Sequence, residues 1–289
     1  MKQRTITGII LVLALLPFLV IEALIIPLQV IIGLILIIGV LEMTNMYSKD
    51  YKVSTKIYLT LMSLMLYVSI VLNIDAAYIL FVILLIFASL LVLQTFNEDF
   101  TKENLGNHLV TILYLGLATG AIVSIRLLGI RFVVFLLLIT MATDVFAYLF
   151  GIKFGKHKMA PNISPKKSWE GALAGTLIAV TIGSLFGIFY GKLFTGDLLN
   201  ADNIATIIDN IGNRDLSMGL KSVIIVLAAL IISICGQIGD LIASKMKRNH
   251  SIKDFGNIFP GHGGVMDRFD SAFFASIVFY SILILIQLV

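Results

Sequence analysis

From Ser244 to Asp270 the chain reads SKMKRNHSIKDFGNIFPGHGGVMDRFD, a run dense in charge and glycine between two very apolar segments. With Asp240 at its edge it holds four carboxylates: Asp240, Asp254, Asp267 and Asp270. It also holds five cations (Lys245, Lys247, Arg248, Lys253, Arg268) and two histidines (His250, His262). Carboxylates suit a hard divalent cation, and Lys or Arg suits phosphate. The mixture points to metal-dependent phosphoryl or nucleotidyl transfer at a membrane surface.

Spacing refines the candidates. Asp267 and Asp270 are three apart and share a helix face. Asp240 ends the preceding apolar run. A span that enters one side and a span that leaves it should have neighbouring ends, so three carboxylates are expected to converge. The competing expectation is local ion pairing, for example with Arg268 or Lys245. Asp144, in ITMATDVFAYLFG, lies inside a span. A carboxylate there costs roughly 2.5–3.5 kcal/mol on insertion scales and is usually kept for function, so it should face a polar cavity. A packing hydrogen bond through Thr143 or Tyr148 is the alternative. Gly261, Gly263 and Gly264 around His262 allow a close backbone approach and an anion-binding nest. Ser164, Lys166 and Lys167 could grip a triphosphate, or could simply be loop charge that sets topology.

The elements that position these groups are membrane spans. The chain has 289 residues, is 59% hydrophobic and 13% charged, and has a mean hydropathy of +1.03. No soluble domain has that profile. Apolar runs of about 18–25 residues recur, each long enough to cross a bilayer. They predict an all-α polytopic protein with about nine spans: 6–21, 24–42, 56–73, 77–95, 108–125, 130–150, 171–190, 219–240 and 269–288. With the N-terminus in the cytoplasm, all but five of the 21 Lys and Arg fall in or beside inside segments. The five are Arg126, Arg131, Lys192, Arg214 and Lys221. That asymmetry places the polar block at the cytoplasmic face of the cell membrane.

The organisation expected is N-terminal membrane helices over 1–100, then a catalytic region over 101–289 with cytoplasmic loops 151–170 and 241–268. The first loop is punctuated by Gly and Pro and is read as loop rather than helix. Its Trp169 suits an interface anchor. The segment 191–217 is read as a solvated external connector. Cys235 is the single cysteine, so no disulfide framework is possible.

The signature Ser-x-Met-Lys-Arg, four residues, Lys-Asp-x-Gly, two residues, Phe-Pro-x-His-Gly-Gly-Val-x-Asp-Arg-Phe-Asp resembles that of the phosphatidate cytidylyltransferases. ISPKKSWEG at 163–171 and Asp-x-x-Ala-Tyr at 144–148 are similar to the same family. The resemblance implies transfer of a cytidylyl group from CTP to phosphatidate, giving CDP-diacylglycerol and pyrophosphate. It implies Mg2+, with a second cation such as K+, and a homodimer among membrane lipids, with no nucleic-acid partner. It places Asp240, Asp267, Lys253 and Asp254 in the catalytic set. Ser164, Lys166, Lys167, Lys247, Arg248, His262, Gly263, Gly264 and Arg268 bind substrate. Asp144, Asp240, Asp267 and Asp270 hold metal. The related readings are another CTP-dependent lipid transferase, of CDP-archaeol synthase or polyprenol kinase type, and a polytopic transporter.

Overall fold

The computed structural model describes residues 16–48, 51–97, 100–194, 204–211, 216–259 and 263–288. A short 3-10 turn, Glu22–Leu24, leads into α1 (Ile25–Tyr47). There follow α2 (Val53–Val71), α3 (Ala76–Phe96), α4 (Lys102–Leu128) and α5 (Ile130–Phe154). A β-hairpin, β1 (Lys158–Ala160) and β2 (Ser164–Ser168), leads to α6 (Trp169–Ile188) and the single turn α7 (Tyr190–Leu193). Two long helices close the chain, α8 (Met218–Asn249) and α9 (Met266–Leu288). Among the described residues, eight of these helices are long and apolar enough to cross a membrane. The expected first span, 6–21, lies mostly outside the described residues. Leu80, Phe81, Leu84 and Phe87 of α3 are all about half exposed, as side chains facing lipid should be. The protein is an all-α polytopic membrane protein with, among the described residues, one small hairpin.

The chain divides into two compact units. The first comprises Met1–Ser124 and Lys247–Phe269. Its core is apolar side chains from α1 to α4, among them Leu36, Val40, Leu59, Leu66 and Leu115, with Met266 fully enclosed.

The second unit comprises Ile125–Met246 and Asp270–Val289. Here α5 and α6 cross backbone to backbone. A Cβ on Gly175 would stand 2.6 Å from the Thr143 carbonyl oxygen, and one on Gly171 would stand 2.5 Å from that of Ala147. Small residues permit this approach where water supplies no hydrophobic drive between helices. α8 meets α9 the same way, with Gly239 against the Asp270 carbonyl. Hydroxyls link the helices further. Thr143 and Ser233 are 2.7 Å apart, and Ser233 donates to Thr176 at 3.2 Å. Gln237 donates to the same Thr176 hydroxyl at 2.8 Å.

Three local expectations change. The segment 151–170 is not loop throughout: α5 runs on to Phe154, and an antiparallel hairpin follows that pairs Lys158 with Ser168. The span expected to end at Asp240 continues for more than two turns, to Asn249. SKMKRN favours helix, and its cations complement the negative end of the helix dipole. Ser251, at φ +54°, terminates it. Ser251 N–H donates to Arg248 O and Ile252 N–H to Lys247 O, which is a Schellman closure. The segment 191–217 is also no mere solvated connector where it is described. Thr206, Ile207, Ile208 and Asp209 are buried. Arg131 donates to the Asp209 carbonyl at 2.7 Å, and Lys221 pairs with the Asp209 carboxylate at 2.7 Å.

Candidate functional site

In the second unit the hairpin and three helices line an open cavity of about 710 Å³. Asp144 and Tyr148 from α5, Lys166 and Lys167 from β2, Lys158 from β1, and Asp240 from α8 line it. The sequence builds this cradle from short-range rules. Ser168 caps α6 by accepting the Gly171 N–H at 3.2 Å. Glu170, in the first turn, accepts the N–H groups of Lys156 and His157, and His157 Nδ1 lies 2.6 Å from it. These bonds hold the base of the hairpin against the start of α6, so the lysines of both strands are presented beside α5 and α8.

Lys167 Nζ lies 2.7 Å from Asp240 Oδ2 and also donates to the Gln237 carbonyl at 3.4 Å. Asp144 accepts from the Ser271 hydroxyl at 3.2 Å. Asp270, one residue earlier, accepts the Ser271 N–H at 2.8 Å. Asp144 and Asp240 therefore serve one cavity, while Asp270 stands on the α9 turn that Gly239 packs against. Among the described residues no cluster of three His, Cys, Asp or Glu side chains is poised to ligate an ion. Mg2+ does not need one. It ordinarily takes one or two carboxylates and completes its octahedron with water and substrate phosphate oxygens. Two carboxylates and three lysines around one cavity fit a magnesium–nucleotide complex.

In the first unit the signature loop is organised by Asp267, only 7% exposed. Its Oδ1 accepts from Lys247 Nζ at 2.7 Å. Its Oδ2 accepts the N–H of Phe255 at 2.8 Å and of Gly264 at 2.9 Å. Local ion pairing is thus real, but the partner is Lys247 and not Arg268 or Lys245. Gly263, at φ +82°, leaves room for this carboxylate: a Cβ there would lie 2.6 Å from Oδ2. Lys247 also stands over the Phe255 ring, 5.3 Å from its centre. Arg248, Lys253, Asp254 and Arg268 are exposed. Pro260, Gly261 and His262 lie outside the described residues.

Two residues stand out in the structure but not in the sequence. Lys158 faces the cavity with Lys166 and Lys167. Only the hairpin register, invisible in a loop of five lysines, distinguishes it. Glu42, on α1, is 5% exposed and takes the N–H groups of Val265 and Met266, each at 2.9 Å. Its signal is a carboxylate at the end of an apolar run, which ordinarily reads as a span boundary.

The model of the cytidylyltransferase family matches residues 2–286. This chain belongs to the cytidylyltransferase family. It is 34% identical over 166 residues to a phosphatidate cytidylyltransferase of Staphylococcus epidermidis, covering 57% of this chain and 54% of that one. To the phosphatidate cytidylyltransferase of Bacillus subtilis it is 30% identical over 192 residues, 65% and 62% of the two chains. The matched segments thus span little more than half the length of these relatives. The lysines of the cavity suit phosphate groups, and its carboxylates suit a hard cation.

Proposed function

We propose that the protein transfers the cytidylyl group of CTP to phosphatidate, releasing pyrophosphate and forming CDP-diacylglycerol. The observation that carries this reading is the cavity in which Asp144, Asp240, Lys158, Lys166 and Lys167 face one another inside a membrane protein of the cytidylyltransferase family.

A phosphatidate phosphate oxygen attacks the α-phosphorus of CTP, and a new P–O bond forms. The α–β anhydride bond breaks, and pyrophosphate departs with the electron pair. The attacking phosphate is already a nucleophile, so no Ser or Cys is needed. What the protein supplies is positioning and charge. Lys158, Lys166 and Lys167 hold the triphosphate, and Lys167 exchanges its bond to Asp240 for a phosphate oxygen. Asp240 and Asp144 would hold Mg2+, which when bound neutralises charge on the leaving phosphates. The family resemblance extends the ligand role to Asp267 and Asp270, and a second cation such as K+ to the same chemistry. On the same resemblance, Lys247, Arg248, Lys253, Asp254, His262 and Arg268 are proposed to contact the substrates. The Lys and Arg distribution supports a cytoplasmic position for these ends of the helices, and the membrane we propose is the plasma membrane. CTP then enters from water and phosphatidate from the bilayer, and the assembly is a homodimer.

Purified protein in lipid, given phosphatidate and CTP labelled at the α-phosphorus, tests the reaction. Label should enter the lipid fraction, whereas label at the γ-phosphorus should leave as pyrophosphate. Lipid labelled from the γ-position would instead reveal a kinase and overturn the proposal.

A further inference from the structure

We infer that Glu42 is a positioning residue for the proposed transfer: it clamps the N-terminus of α9 and thereby sets Asp267 and Lys247. This rests on the proposed function, which gives those two residues their work.

The first N–H groups of a helix have no partner within it. At α9 they are shared between two carboxylates. Gly264 N–H goes to Asp267, whereas Val265 and Met266 N–H go to the two oxygens of Glu42, one each. The arrangement is bidentate, charge-assisted and favoured by the positive end of the helix dipole. Glu42 comes from more than 200 residues away, and room has been left for it. A Cβ on Gly256 would stand 2.5 Å from its Oε1, and one on Gly264 would overlap the carboxylate. Two glycines of the signature therefore border a buried anion supplied by α1.

Glu42 does not line the cavity. Its hydrogen-bond donors are the two residues immediately before Asp267. Asp267 in turn holds Lys247 and the Phe255 N–H. A shift of the α9 start displaces Asp267, and with it the ammonium of Lys247. A carboxylate that only stabilised the fold would change how much protein is active and would leave nucleotide affinity alone.

The test uses the full chain with Cys235→Ser and Asn257→Cys, the latter an exposed loop position. Glu42→Gln keeps the shape but turns an NH2 group toward one of the two N–H donors. By displacing Lys247 it should raise the KM for CTP at least about tenfold, the effect of losing one charged hydrogen bond between that lysine and a phosphate. Maleimide should label the introduced thiol about tenfold faster as the loop loosens. Glu42→Asp, retaining the charge but not the reach, should fall between. If Glu42→Gln does not accumulate, Gly256→Ala crowds the same carboxylate and carries the same two expectations. An unchanged KM for CTP together with unchanged labelling, whatever the yield, overturns the inference. If the parent protein transfers no cytidylyl group, the proposed function falls separately. Labelling then still decides the clamp, faster in Glu42→Gln supporting it and unchanged labelling refuting it.

Discussion

Asp240 is held by one lysine and faces a cavity, and its neighbours define what its charge must do. Asp240→Asn keeps size and shape but removes the charge proposed to hold Mg2+. Turnover should fall by about 100-fold or more, with correct membrane insertion, and excess Mg2+ should not restore it. Activity near that of the parent at high Mg2+ would remove Asp240 from that role. Lys158→Ala should raise the KM for CTP by roughly tenfold, since a charged hydrogen bond contributes about 1.5–3 kcal/mol. On the other side of the unit, Asp209 offers a pH test. Burial pushes its carboxyl up, but the Lys221 ammonium and the Thr206 and Ala205 donors outweigh it, so the pKa lies below the ordinary value. A depressed folded-state pKa means that its stabilisation is complete above about pH 4 and is lost as pH falls through the folded value. Thermal stability should therefore fall in acid less steeply in Asp209→Asn than in the parent. Equal acid dependence in the two would refute this account of the 204–211 anchor.

At the scale of elements, the hairpin and the crossing of α5 with α6 set the cavity. Gly175→Leu would drive a side chain into the Thr143 carbonyl and the Ala147 backbone. Overpacking of this kind costs about 1–3 kcal/mol, and here it would also part the helix that bears Asp144 from the helix that follows the hairpin. Thermal stability and activity should both fall, while Gly175→Ala should be milder. Parent-like values for Gly175→Leu would mean that the crossing is not tight. The spans are legible in the sequence because an apolar run of bilayer length fits little besides a membrane crossing. The extension of α8 beyond Asp240 is not, because dense charge reads as loop, although Lys and Arg suit a helix C-terminus. The hairpin is hidden by Gly and Pro, which mark turns without saying what they connect. Asp144, Asp240, Lys166 and Lys167 are legible through residue type and motif. Lys158 and Glu42 are not, because each depends on a partner distant in sequence: the opposing strand in one case, the α9 start in the other.

For the molecule as a whole, the proposed function requires the nucleotide site at the helix ends to lie on the cytoplasmic side. A cysteine placed at Asn249, the last residue of α8, should be labelled only by reagent that reaches the cytoplasm. Labelling from outside intact cells would invert the topology. The central claim is that the hairpin lysines bind the CTP phosphates. The most direct measurement is the steady-state kinetics of the Lys166→Ala/Lys167→Ala double variant in purified, correctly inserted protein. Two lost phosphate contacts should reduce kcat/KM for CTP by about 100-fold or more, with a much smaller change in the KM for phosphatidate. CTP kinetics equal to those of the parent would contradict the claim, leaving the pair as topological charge and the cavity without its nucleotide.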